Sequence, residues 1–191
     1  KYVRTSAAVL GLAMATKQYA WIQVPIYLAH VFFKESGTIR QKTAGLVKKL
    51  WPCALTFSLI IIPFLVWDAK SFIEDIYLYP TGALVTSYPI SGYGLSIFLY
   101  QLDVIARLVD YFPFGILQLI IGIPFLFFLI TRQRKEQTIS AMVGNYGIFL
   151  LVFLFFSRVL HDNYIAYISM LFIAAYAFNA SGNDNQQTAS L

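Results

Sequence analysis

The sequence predicts an all-α fold: a polytopic transmembrane helix bundle of about six spans, with interfacial helices on the extracytoplasmic side. Three observations carry that expectation. The 191 residues are 59% hydrophobic and only 12% charged, with a mean hydropathy of +0.67, whereas a soluble domain carries about 25% charged residues. Apolar runs of about 12 to 20 residues recur along the chain, against the roughly 20 that a spanning helix needs, or somewhat fewer where the bilayer is locally thin. Lys and Arg concentrate in two connecting segments, 34–51 and 132–137, which the positive-inside rule places in the cytoplasm.

The path begins at the run 5–16, rich in Gly11, Ala13 and Ala15, small residues that allow close helix approach. Lys17 and Gln18 interrupt it, and a second run covers 19–33. The basic segment 34–51 carries Lys34, Arg40, Lys42, Lys48 and Lys49. Further spans are read at 52–67, 112–131, 138–156 and 164–178, with the charged turn 132–137 holding Arg132, Arg134 and Lys135. Strict alternation puts Lys17-Gln18, the long region 68–111 and the segment 157–163 outside. Most of the basic residues then fall inside. The domain reading is one bundle over 1–178, followed by a polar tail, 179–191, expected to be disordered. Pro25, Pro63 and Pro124 are expected to bend their helices.

The outer region 68–111 has its own texture. "WDAKSFIEDIYLY" reads as a short interfacial helix. "YPTGALVTSYPISGYG" reads as an ordered loop with tight turns. "LSIFLYQLDVIARLVDYF" repeats apolar residues at helical spacing opposite Gln101, Asp103, Arg107 and Asp110, which predicts a helix lying in the interface. A spanning reading would put those charges in hydrocarbon.

Charge and composition also exclude functions. The net charge of +5 follows the membrane topology and does not indicate nucleic acid. Cys53 is the single cysteine, so no disulfide or Cys-based metal site is expected. His30 and His161 are too far apart in sequence for a metal-binding spacing. His30 reads as structural, and Asn145 as an interhelical hydrogen-bonding group.

Three polar clusters share the outer face in this topology. Lys17 either binds an anionic group such as a phosphate or snorkels to the interface. Arg158 can fork onto a phosphate, and His161 can move a proton or donate hydrogen bonds. A helical extension would align the two on one face. The alternative is a loop with an Arg158–Asp162 ion pair and a capping Asn163. Tyr88 and Tyr93, in "SYPISGYG", either stack on a sugar beneath a lid-like loop or belong to the interfacial aromatic belt. The clusters are expected to converge on one exterior hollow.

"LGLAMATKQYAWIQVPIYL", "PFLVWDAKSFIEDI", "YPISGYGLS" and "HDNY" together resemble segments of bacterial GT-C superfamily glycosyltransferases, many of them uncharacterised. The resemblance implies a polytopic enzyme of the bacterial cytoplasmic (inner) membrane that moves a sugar from a polyprenyl-phosphate donor to an extracytoplasmic acceptor. Joined to the polar clusters, this gives expected substrate-binding roles to Lys17, Gln18, Tyr88, Tyr93, Arg158, His161 and Asn163, with a lipid-linked sugar as donor; no cofactor and no metal ligands are assigned. Enzymes of that group are longer and carry a catalytic acidic residue in their first outer loop. The chain therefore reads as a C-terminal half, with the base upstream of Lys1. Asp75, Asp103 and Asp162 are acidic and outside, but no motif makes any of them the base. The rival readings are a non-catalytic accessory subunit of a larger membrane complex and a transporter fragment. The latter ranks last because no internal repeat is visible.

Overall fold

A computed structural model describes the backbone of residues 2–188 and the side chains of residues 2–181. The chain runs through α1 (Val3–Thr16), α2 (Tyr19–Lys34) and α3 (Ile39–Ile73). A π-helical turn (Glu74–Leu78) and a single turn, α4 (Tyr79–Thr81), follow. After a loop come β1 (Ser91–Gly92), α5 (Leu95–Gln101), α6 (Phe114–Lys135), α7 (Ile139–Phe155), β2 (Val159–Leu160) and α8 (Asp162–Thr188).

The membrane character holds, but the span count does not. Among the described residues, three helical stretches are long and apolar enough to cross a bilayer: Ile39–Thr81, Phe114–Lys135 and Asp162–Ser181. Helices α1, α2 and α7 have 14, 16 and 17 residues. At 1.5 Å per residue they extend about 21–26 Å, short of a hydrocarbon core of about 30 Å. The expected runs are helical, yet half of them stop too early to count as spans by length.

Local chemistry explains where helices stop. Lys17 is extended (φ −148°, ψ 135°) and ends α1. Thr38 and Gln41 form a reciprocal capping box that starts α3. The basic segment 34–51 is therefore mostly helix and continues without interruption into the apolar run. Thr138 caps α7 by accepting from the Ala141 N–H at 3.0 Å.

Asp68 breaks α3, with φ −152° and ψ 88°. Its carboxylate accepts from the Ser71 N–H at 3.0 Å and the Ser71 hydroxyl at 2.7 Å, an N-cap for a new helix. The break in α3 thus falls at Asp68, although Pro52 and Pro63 both lie inside the helix.

That bend is sharp enough to reverse the chain. Gly11 of α1 abuts the Cys53 carbonyl of α3, while Gln18 donates to the Ile76 carbonyl at 2.6 Å. From Gly11 to Gln18 is about 10 Å of helix, but from Cys53 to Ile76 it would be about 35 Å if straight. Both contacts hold only if the stretch after Asp68 turns back toward the α1–α2 junction.

Helix α7 is the axis of the core. Met142, Tyr146, Phe149, Leu150 and Leu154 are buried among residues of α1, α2, α6 and α8. Gly147 lets Phe172 of α8 approach closely. Asn145 bonds as the sequence suggests: its amide donates to Gln133 Oε1 of α6 at 2.8 Å, and Gln133 Nε2 lies 3.1 Å from His30 Nδ1 of α2. Three helices are thereby tied by one buried polar knot.

The expected interfacial helix over 95–112 is mostly absent. Only Leu95–Gln101 is helical. Asp103 takes a positive φ of 56° and turns the chain, and 102–110 continue in turns that expose Leu102 and Val109 but bury Ile105. Apolar spacing alone misled here because the turn at Asp103 resets which side chains share a face. The tail was expected to be disordered from 179. Helix α8 runs to Thr188, and 189–191 lie outside the described residues.

Candidate functional site

The α1–α2 turn, the segment 74–94 and the α7–α8 junction gather at one end of the bundle. Gln18 bonds to the Ile76 carbonyl. Tyr146 donates to the Tyr19 carbonyl at 3.1 Å, and the Tyr19 and Tyr164 rings meet edge-on at 4.8 Å. The three predicted clusters therefore do converge.

Their chemistry differs from expectation. Arg158 is buried, 3% exposed. Its guanidinium donates through Nε to the Tyr88 carbonyl at 2.7 Å, through Nη1 to that of Asp110 at 2.8 Å, and through Nη2 to that of Leu108 at 3.0 Å. A buried cation is tolerable when oxygen dipoles replace its water. Gly82 makes room, because a Cβ there would lie 2.4 Å from Nη1. Burial pushes the Arg158 pKa down, and the nearby Asp110 carboxylate pushes it up. Arg158 is thus a brace that joins two stretches of the 84–110 loop to β2, not a free phosphate ligand. Nor does it pair with Asp162, because its guanidinium nitrogens are turned to these three carbonyls.

The backbone explains why Arg158 and His161 part company. Residues 159–160 form a strand, parallel to β1, with Ser91 opposite Val159 and Gly92 opposite Leu160. In a strand, positions three apart point to opposite faces, whereas the expected helix would have aligned them. The same ladder overturns the lid reading of "SYPISGYG". The Tyr93 N–H donates to the Leu160 carbonyl at 2.8 Å. At Gly92, φ is +95° and a Cβ would fall 1.8 Å from that carbonyl oxygen. The glycines serve close docking of the loop, so it is pinned rather than hinged.

His161 faces a different neighbourhood. Its Nε2 lies 3.4 Å from Ser91 Oγ. Its ring meets Tyr88 at 6.1 Å and Tyr164 at 6.1 Å, while Tyr88 also meets Tyr79 at 6.2 Å. The result is a row of rings, Tyr79–Tyr88–His161–Tyr164–Tyr19, beside the exposed Lys17 and Gln18. Asn163 is exposed in the first turn of α8, and Tyr93 is exposed beyond the ladder. Sequence reasoning missed Ser91, Tyr79, Tyr19 and Tyr164. Ser91 lies inside the singled-out "SYPISGYG", and Tyr19 and Tyr164 lie two and three residues after Lys17 and His161, whereas Tyr79 carried no such signal.

Two cavities lie along α1, α2 and α3. A cavity of about 540 Å³ is lined by Val3, Arg4, Gly45, Lys48 and Lys49. Another, of about 320 Å³, lies among α1, α2 and α3. Neither of these two is lined by Lys17, Arg158 or His161. Comparison with family models, with curated proteins and with solved structures finds no match.

Proposed function

We propose that the chain is the membrane-embedded part of a glycosyltransferase, resembling the GT-C group, that handles a polyprenyl-phosphate sugar at the outer face of a bacterial cytoplasmic membrane. The observation that carries this reading is the ring row beside a free cation. Tyrosine faces suit the C–H faces of a sugar, and the exposed Lys17 suits a phosphate. In this reading Lys17 holds the donor phosphate by charge-assisted hydrogen bonding. Gln18, Tyr88, His161 and Asn163 orient sugar or acceptor, with Tyr93 at the margin. Arg158 sets the height of the Tyr88–Ser91 segment and touches no substrate. No residue is assigned as the catalytic base in this reading.

The test uses the full-length protein in proteoliposomes with a polyprenyl-phosphate sugar. Lys17→Ala and Tyr88→Ala should each cut transfer at least tenfold while leaving thermal unfolding unchanged. Full activity in both variants would exclude the ring row as the substrate face. The rival reading, an accessory subunit of a membrane complex, has one specific observation in its favour. Arg158, the most chemically capable outer cation, is consumed by scaffolding. A stable stoichiometric complex without transfer activity would favour it.

A further inference from the structure

The cavity lined by Arg4, Lys48 and Lys49 plays no part in that reading. It opens where the first turn of α1 meets α3, and Gly45 leaves its wall without a side chain. Lys49 is paired with Glu35 across the α2–α3 corner. Among the described residues, Arg4 and Lys48 take part in no ion pair. Both are exposed. The concavity therefore presents two uncompensated cations and one neutralised pair.

A second observation adjoins it. The groove of about 320 Å³ runs onward along the same α1–α3 seam and is lined by apolar groups including Leu10, Met14, Leu28, Leu50, Ala54 and Phe57. Helices α1 and α3 run parallel along this seam: Val3 and Arg4 lie by Gly45 and Lys48, and Gly11 lies by Cys53. The groove thus begins about one to two helical turns from the cations, on the side leading into the apolar part of α3. A cationic mouth followed at once by an apolar trough matches a molecule with an anionic head and a hydrocarbon chain. It does not match a soluble anion, which would leave the trough wet.

We infer that this seam binds an anionic glycerophospholipid, its headgroup phosphate at Arg4 and Lys48 and one acyl chain in the groove between α1, α2 and α3. Basic concavities between helices are the usual seats for such headgroups. The site is independent of the ring row, and its test does not involve sugar transfer.

The experiment is native mass spectrometry of the detergent-purified chain, titrated with phosphatidylglycerol or phosphatidylcholine. The expected result is preferential retention of phosphatidylglycerol. Lys48→Gln should weaken it about fivefold, and Arg4→Gln with Lys48→Gln about fivefold further, following the strength of one basic contact near an anionic lipid. Arg132→Gln with Arg134→Gln should leave it unchanged. Ala54→Phe, at an exposed position in the groove, should weaken lipid retention without altering helical content. Inorganic phosphate at millimolar concentration should fail to displace the lipid. Equal retention of the two lipids, equal loss in both basic pairs, an unaffected Ala54→Phe variant or full displacement by phosphate would each overturn the proposal.

Discussion

At one end of the bundle, Arg4 and Lys48 line an open cavity with their charges free. At the other, Arg158 is buried beneath three backbone carbonyls. Both sets are cations beside apolar helices, and composition alone does not separate them. The difference is the neighbouring backbone. Helical segments at the first end satisfy their own carbonyls, so side-chain cations there remain available. The irregular loop 84–110 has carbonyls without ladder partners, and a nearby buried guanidinium meets that need. A buried arginine beside a long loop is therefore first a candidate for bracing the loop, and only then for binding a ligand.

The largest effect expected from this contrast is at Arg158. Arg158→Met leaves three carbonyls without their donor and should cost about 3 kcal/mol or more. Arg4→Met, at the free end, should change stability by less than about 0.5 kcal/mol. Thermal unfolding in detergent measures both, and equal effects would erase the distinction. Gly92→Ala comes next. Its positive φ and its clash with the Leu160 carbonyl should cost about 1–3 kcal/mol. Gly115→Ala, with nothing within 4 Å of the added carbon, should cost nothing.

A smaller loss, about 0.5–2 kcal/mol, is expected for Asn145→Leu, because Gln133 Oε1 would lose its donor. The smallest effect is a pH dependence in the turns near 102–110. Hydrogen bonding from Arg107 holds the Asp110 carboxyl below its ordinary range. Its folded pKa thus lies below the unfolded value of about 3.9. Its contribution is present above that pH and fades as pH falls through the folded pKa. Proteolysis of this segment should rise slightly on acidification, and Asp110→Asn should abolish the dependence.

Much of the bundle was legible in the sequence because apolar runs and caps act locally. Thr138 and the Thr16-Lys17 break lie at helix ends found by spacing alone, whereas the start of α3 at Thr38 falls inside the segment read as a basic connection. The Lys17, Tyr88 and His161 regions do lie near one another, but the six-span alternation from which that was expected does not hold. The number of spans was not legible. Whether 14 to 17 apolar residues suffice depends on the surrounding helices and bilayer, not on the run itself. The role of Arg158 was hidden because its partners, the carbonyls of Tyr88, Leu108 and Asp110, are backbone atoms present in every residue. The folded-back stretch after Asp68 was hidden for a similar reason. Asp68 and Ser71 signal a new helix, but not its direction.

The claim on which the site description depends is that Arg158 holds the 84–110 loop onto β2. Hydrogen exchange at the Ile90 and Tyr93 amides reads this directly, since they donate to the carbonyls of Leu108 and Leu160. Both amides should be protected in the intact protein and in Lys17→Ala, and should exchange at least tenfold faster in Arg158→Met while the α7 amides stay protected. Unchanged protection in Arg158→Met would contradict the brace and return Arg158 to the pool of free cations.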